Sequence, residues 1–200
     1  LFGLFVGRMN NYNKKLVEAL LDLDNTTQLG IANSIWIKKG FGVHDDFVSV
    51  NKKMYDAQVQ ELDFASPKAP DIINGWCAGK TNNCIPKVLN EIPETARLYL
   101  LNALYFKGIW KNQFKKSDTA EEAFTNADGS KSTVHMMNLR DERFNYAENE
   151  YFSMAELPYG NEAFSMVVLL PAEGKSLDEC LPQLNDERWG NGTVVYQALP

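Results

Sequence analysis

The densest apolar and aromatic run in the chain covers residues 95–114, where Leu, Tyr, Phe and Ile surround a few polar positions. The polar residues Arg97, Asn102 and Lys107 interrupt it, so the run is too short to cross a bilayer as a helix. A segment that is apolar at nearly every position predicts a strand buried on both faces, although a buried helix gives a similar pattern. Gly108 and the aromatic residues favour the strand.

Asn102 is unusual because it stands in the middle of this run. A buried amide that has no partner costs roughly 1–3 kcal/mol. We therefore expect another polar group to meet Asn102, and we expect this strand to do more than fill the core.

Helical periodicity appears in four other places. The predicted helices are residues 10–23; a helix capped by Asp45 or Asp46, with Phe47, Val50, Met54 and Ala57 inside; a helix after Pro70, with Ile72, Ile73 and Trp76 inside; and residues 177–184. Turn residues follow the first of these at 24–27, and Asn82-Asn83 ends the third.

Extended patterns lie between the helices. They predict strands at 28–38 and 58–64, a half-exposed strand at 144–157 and a fully buried strand at 163–170. Asp128-Gly129 predicts the turn of a hairpin over residues 121–137. Strands and helices alternate without a regular βαβ repeat, which indicates the α+β class.

Composition narrows the function classes. The chain has 200 residues, 44% apolar residues and a net charge of −6, so it is globular and nucleic-acid binding is disfavoured. Three cysteines, Cys77, Cys84 and Cys180, give an odd number and imply no disulfide framework. The apolar start, residues 1–7, lacks the features of a signal peptide, and we interpret both ends of the chain as cuts.

The residues supply no recognisable catalytic or metal site. His44 and His135 are the two histidines, and the spacing of Cys77 and Cys84 matches no common zinc pattern. No GxSxG, GxGxxG or GxxxxGK[ST] motif is present, so we expect no enzyme activity, no metal and no cofactor. Residues 25–27 and 191–193 match the acceptor pattern for N-glycosylation, which matters in a secreted protein.

The central run resembles the signature of the serpin family. In that signature an Asn-Ala pair leads through Tyr-Phe-Lys-Gly to a Trp, as residues 102–110 do here. Further blocks match in the same order: Ile31 to Trp36; Ile73 to Trp76 with Thr81 and Ile85; Phe114, Thr119 and Phe124; Met136-Met137; Leu157 to Gly160; and Ser165 to Pro171.

The chain departs from the family pattern at a few positions. Asn83-Cys84 stands where a Gly-Lys pair is usual, and Cys77 stands where Val is common. The resemblance covers most of residues 28–171, and serpins are about twice as long as this chain. It implies that residues 1–200 are the central fragment of a single serpin domain. We expect a large mixed or antiparallel sheet, covering helices and a second, smaller sheet, without the first helices and without the reactive loop and closing strands.

The resemblance also implies a mechanism. Serpins trap serine or cysteine proteases as acyl-enzymes, because the cleaved loop inserts as a new strand in the main sheet. Asn102 is similar in position to the latch of the sheet-opening region, the shutter. Trp110, Thr119 and Tyr159 match residues at the top of the sheet, where insertion begins.

The expected function is therefore that of a part of a protease inhibitor, with a target protease as partner. The alternative is a non-inhibitory serpin-like protein that acts in binding, as a carrier or as a chaperone. The resemblance favours an extracellular or cell-surface location, with a cytoplasmic one as the alternative. We expect no nucleic-acid or membrane partner, and we expect the fragment to associate with itself or with the remainder of its chain.

Overall fold

The computed structural model describes residues 6–140, 142–185 and 197–198, and the chain divides into two compact units, residues 1–107 and 108–200. The first unit contains helices α1 (Val6–Leu21), α2 (Asp45–Tyr55) and α3 (Ala69–Lys80), and strands β1 (Gln28–Lys38), β2 (Gln58–Leu62) and β3 (Leu98–Lys107). The mixture of helices and sheets confirms the α+β class. That the two units belong to one domain stays a prediction.

The second unit is built mainly from strands. They are β4 (Thr119–Thr125), β5 (Lys131–Met137), β6 (Asn145–Glu148), β7 (Phe152–Pro158), β8 (Ser165–Pro171) and β9 (Gln197–Ala198), with the short helix α4 (Leu177–Cys180) and 3-10 turns at Lys116–Asp118 and Leu181–Gln183. The glycosylation pattern at residues 191–193 lies outside the described residues.

A three-stranded sheet organises the first unit, in the order β2-β1-β3. Strand β1 runs parallel to β2 and antiparallel to β3, which places Asn33 directly opposite Asn102. The sheet is mixed, as expected, because α2 carries the chain back between β1 and β2.

Helix α3 packs on one face of this sheet. Trp36 of β1 and Ile73 of α3 are almost completely buried there, together with Leu62, Phe64 and Ala69. The two polar residues of the α3 block are also buried and bonded. Asn74 donates to the carbonyl of Leu89 and accepts from the amides of Val88 and Leu89, while Thr81 donates to the carbonyl of Cys77. These bonds attach the segment after α3 to the helix.

The prediction that the central strand is buried on both faces is wrong. Tyr99 and Leu101 pack on the α3 cluster, and Ala103 is buried. Leu100 and Leu104 point the other way and are 65% and 58% exposed. The apolar run therefore indicates a strand that is apolar on both faces. The described residues cover only one of these two faces.

Several details of the predicted helices are also wrong. His44 is the N-cap of α2, whereas Asp45 and Asp46 lie in its first turn, where their charges suit the helix dipole. Helix α2 buries none of its residues, and Ile72 of α3 is 43% exposed, because these side chains lie outside the packed stripe. Helix α1 begins at Val6, earlier than predicted.

In the second unit the hairpin prediction is confirmed. Strands β4 and β5 pair around Gly129, whose φ of 82° requires the left-handed region. The predicted single strand at 144–157 is instead the hairpin β6–β7, because the side-chain oxygen of Asn149 accepts from the amides of Tyr151 and Phe152 and forms a turn.

Strand β8 is not fully buried as predicted, since Val168 is 45% and Leu170 66% exposed. It pairs with β7 in a sheet of order β8-β7-β6-β9. Glu156 of β7 ties three strands together, because its carboxylate accepts from Asn145 of β6 at 2.9 Å and from Ser165 of β8 at 2.6 Å. These bonds, that from Asn145 first, lower the pKa of Glu156.

Candidate functional site

Asn102 takes part in a chain of side-chain amides that crosses the first sheet. Its Nδ2 atom donates to Oδ1 of Asn33 at 2.9 Å, and more weakly to the carbonyl of Ala32 at 3.5 Å. The expected polar partner is therefore Asn33. The side chain of Asn102 is exposed rather than buried, so the cost of an unpaired buried amide does not apply to it.

Asn33 was not singled out by the sequence, yet it is the centre of this arrangement. Its own Nδ2 atom donates to the carbonyl of Tyr55 at 2.8 Å, at the end of α2. The amides thus connect α2, β1 and β3 in one line. Both β1 and β3 carry an Asn in the middle of a predicted strand. The antiparallel register of the two strands places these two Asn residues opposite each other, so that their side chains meet.

Strand β3 lies at the edge of its sheet. Within residues 6–140 and 142–185, its backbone pairs with β1 on one side and with no strand on the other. Edge strands carry unpaired N–H and C=O groups that accept a further strand. Asn102 therefore lies on a strand that can gain a neighbour.

Trp110 and Tyr159 meet in the second unit. Their rings stack with centroids 4.3 Å apart at an angle of 12°, and Phe114 packs edge-on against Trp110. The backbone supports the stack, because Lys111 donates to the carbonyl of Pro158 at 3.0 Å and Gly160 donates to the carbonyl of Ile109 at 2.8 Å. The structure thus brings Trp110 and Tyr159 into direct contact, and their role in insertion stays a prediction.

Gly108 makes the close approach of Tyr159 possible. A Cβ atom at position 108 would lie 2.5 Å from Cδ1 and 2.8 Å from Cγ of the Tyr159 ring. No real Cβ tolerates such distances, so glycine is required for packing rather than for an unusual φ. At the outer end of this segment, Lys111 and Glu162 form an ion pair of 2.6 Å between exposed side chains.

Thr119 is not bonded to the stacked pair. Its hydroxyl donates weakly to the carbonyl of Lys115 at 3.4 Å, and its backbone opens the β4–β5 hairpin opposite Met137. The structure thus brings together Trp110 and Tyr159, and it places Thr119 at the start of the neighbouring hairpin.

The described residues show no group of three or more His, Cys, Asp or Glu side chains that is placed to hold a metal ion. Cys77 and Cys180 are buried and Cys84 is exposed, and all are free thiols. Among the helices in the described part of the chain, none has both the length and the apolar character needed to cross a membrane.

Comparison with known proteins identifies relatives over nearly the whole chain. The family model described as "Serpin (serine protease inhibitor)" matches residues 6–194. Human serpin I2 is 31% identical over 172 residues, which cover 83% of this chain and 42% of the relative. Rat glia-derived nexin is 30% identical over 193 residues, 90% of this chain and 49% of the relative.

Solved structures agree with the sequence relatives. The native state of tengpin, a thermophilic serpin, matches with a TM-score of 0.86 and 28% identity, covering 98% of this chain and 50% of tengpin. The chain spans about half the length of the curated relatives it matches.

Proposed function

Because this chain belongs to the serpin family, we propose that it is part of a suicide inhibitor of serine or cysteine proteases. In such an inhibitor the protease cleaves an exposed loop and remains attached as an acyl-enzyme. The loop then enters the main sheet as a new strand and distorts the protease. In this proposal the chain itself performs no catalysis. The proposal also includes an extracellular or cell-surface location for the protein.

The observation that carries the proposal is the edge position of β3. A strand that inserts beside β3 would extend the order β2-β1-β3 on the side of β3 that faces away from β1. The exposed Leu100 and Leu104 on the same strand offer apolar surface that a larger assembly would cover.

In this proposal Asn102 acts as a latch of the sheet. Its bond to Asn33 is a single amide contact at an exposed position, so it can break and re-form without leaving a buried polar group unpaired. Strand insertion changes the neighbours of β3, and an amide tolerates such an exchange better than a tightly packed apolar side chain does.

Trp110, Tyr159 and Thr119 mark the region where insertion is proposed to begin. The stack of Trp110 on Tyr159 holds the chain that follows β3 in a defined path. Thr119 belongs to this region through the resemblance, and its position at the start of the β4–β5 hairpin supplies no direct contact with the stack.

The experiment that tests the proposal uses the whole protein that contains this chain. Incubation with trypsin, elastase or a papain-like protease should give a covalent complex that survives a denaturing gel. A protease variant that lacks its nucleophile serves as the control and should give no such band. Cleavage of the protein without a stable complex, for every protease tried, would replace inhibition by the non-inhibitory alternative.

The latch has a separate test in the same protein. Asn102→Ala should speed heat-induced conversion to inactive or polymerised forms, as followed by time courses on native gels. Asn90→Ala is a matched control, because Asn90 is exposed and its side chain forms no hydrogen bond within the described residues. If Asn102→Ala lowers stability but converts at the rate of the control, Asn102 only packs.

A further inference from the structure

The first unit contains a cavity of about 300 Å³ between α1, β1 and α2. This volume lies at the lower end of the roughly 300–1,000 Å³ that small-molecule sites occupy. The cavity therefore admits one small molecule rather than a segment of a polymer.

Hydrogen bonds fix the walls of the cavity. The hydroxyl of Tyr55 on α2 donates to Oδ1 of Asn10 on α1 at 2.8 Å, and Asn33 on β1 donates to the carbonyl of Tyr55 at 2.8 Å. Both bonds start from or end on the last residue of α2, so the three elements are held together around the open space. The site is formed before any ligand arrives, which limits the entropy lost on binding.

Apolar side chains form part of the cavity lining. Val17 of α1, Ile31 of β1 and Met54 of α2 face it, and none of them belongs to the packed clusters of the first unit. Helices α1 and α2 bury no residue at all. Their apolar surface is thus available to an alkyl chain, for which the hydrophobic effect supplies the driving force.

Cationic side chains also line the cavity. Lys52 and Lys53 of α2 are exposed and form no ion pair within the described residues, whereas Lys14 lies 3.8 Å from Glu18. Glu18 and Asp56 also line the cavity, so three ammonium groups face two carboxylates. The charged side chains at the α2 side of the cavity therefore carry a net positive charge. This local charge is opposite in sign to the net charge of the whole chain, which is −6.

We propose that this cavity binds a small amphiphilic carboxylate. The alkyl chain lies against Val17, Ile31 and Met54, and the carboxylate lies at Lys52 and Lys53. Asn33 also lines the cavity, so the ligand contacts the side chain that pairs with Asn102. Binding at the cavity does not depend on protease inhibition.

The first test is a titration of the isotope-labelled full chain with decanoate, followed by NMR. Saturable shifts should appear for residues of α1, β1 and α2 around the cavity, including the side-chain amide of Asn33. Decan-1-ol, which has the same alkyl chain without the charge, should bind about ten-fold more weakly. No saturable shift below the concentration at which decanoate forms micelles would overturn the proposal, as would equal affinity for decan-1-ol.

A pair of variants tests the role of the lysines. Lys52→Gln together with Lys53→Gln should weaken decanoate binding by about ten-fold and leave decan-1-ol binding unchanged. The matched control is Lys115→Gln with Lys116→Gln, which removes the same charge from exposed neighbours in the other unit and should leave both affinities unchanged. Equal decanoate affinity in the two double variants would show that the charges at the cavity do not recognise the carboxylate and would overturn the proposal.

Discussion

The amide line in the first unit and the aromatic stack in the second hold their surroundings by different means. Asn102 and Asn33 join strands through one hydrogen bond between partly or fully exposed side chains. Trp110 and Tyr159 join their segments through the contact between their stacked rings and through two backbone hydrogen bonds. Gly108 packs so closely against Tyr159 that a methyl group would not fit there. The first contact is easy to exchange and the second is not, which fits a proposed latch and a proposed fixed entry point.

The largest expected effect comes from filling the space at Gly108. Gly108→Ala places a Cβ 2.5 Å from the Tyr159 ring, so the ring must shift and its stack on Trp110 must shift with it. We expect a loss of about 2 kcal/mol in the free energy of unfolding, as in other overpacked sites. Chemical denaturation measures the loss, and near-ultraviolet circular dichroism reports the displaced stack.

Gly75→Ala is the matched control for that substitution. Gly75 lies in the middle of α3, and a Cβ there meets nothing within 4 Å. Alanine should stabilise the helix by about 0.5–1 kcal/mol. Equal effects of the two substitutions would mean that the stack does not need the glycine.

A smaller effect is expected at the amide line. Asn102→Ala should cost about 1 kcal/mol, and Asn33→Ala somewhat more, because Asn33 also donates to the carbonyl of Tyr55. In a double-mutant cycle the two residues should couple by about 0.5–1 kcal/mol, measured by urea denaturation. Additive losses would show that the side chains do not depend on each other, and the latch would lose its physical basis.

Local patterns in the sequence predicted most elements of the fold, and the misses have two physical causes. Strand β1 was predicted with its observed bounds, because β-branched and aromatic residues lie between clear turns. Burial was predicted wrongly at Leu100, Leu104 and Leu170. An apolar side chain can be buried only where another part of the molecule packs against it, and hydrophobicity alone does not indicate whether such a partner is present. The turn at Asn149 was missed because an Asn in a mixed acidic and aromatic segment gives a weak signal.

The candidate sites were less predictable than the fold. The residues alone marked Asn102 as unusual, but its partner depends on the register of β1 and β3, which no local pattern encodes. Trp110 and Tyr159 came from the resemblance alone. Gly108 contributed to the strand prediction, yet its role in packing against Tyr159 requires coordinates, because the contact spans 51 positions of sequence between residues 108 and 159.

An effect that depends on pH is expected at Glu156. Its folded pKa lies below the usual 4.5 because Asn145 and Ser165 donate to the carboxylate, so the folded state binds fewer protons than the unfolded state in that range. The stability from these bonds is present above the unfolded pKa and is lost as the pH falls through the folded value.

Glu156→Gln should therefore be less stable than the parent at neutral pH, and the difference should shrink below about pH 4.5. Thermal unfolding across this range measures the difference. Glu150→Gln, in the turn between β6 and β7, removes the same charge from an exposed position and serves as the control. A difference that stays constant with pH would mean that the carboxylate does not join β6, β7 and β8 through its charge.

The smallest effect is expected at the outer end of the aromatic segment, where Lys111 and Glu162 pair at 2.6 Å. Their side chains are 44% and 58% exposed, so water and salt screen the attraction. Lys111→Gln should cost about 0.5 kcal/mol at low ionic strength and less in 1 M salt, by chemical denaturation. The loss at Gly108 should stay the same in both, because it arises from steric overlap. A loss at Lys111 that does not change with salt would mean that the attraction between the two charges is not what Lys111 contributes to this segment.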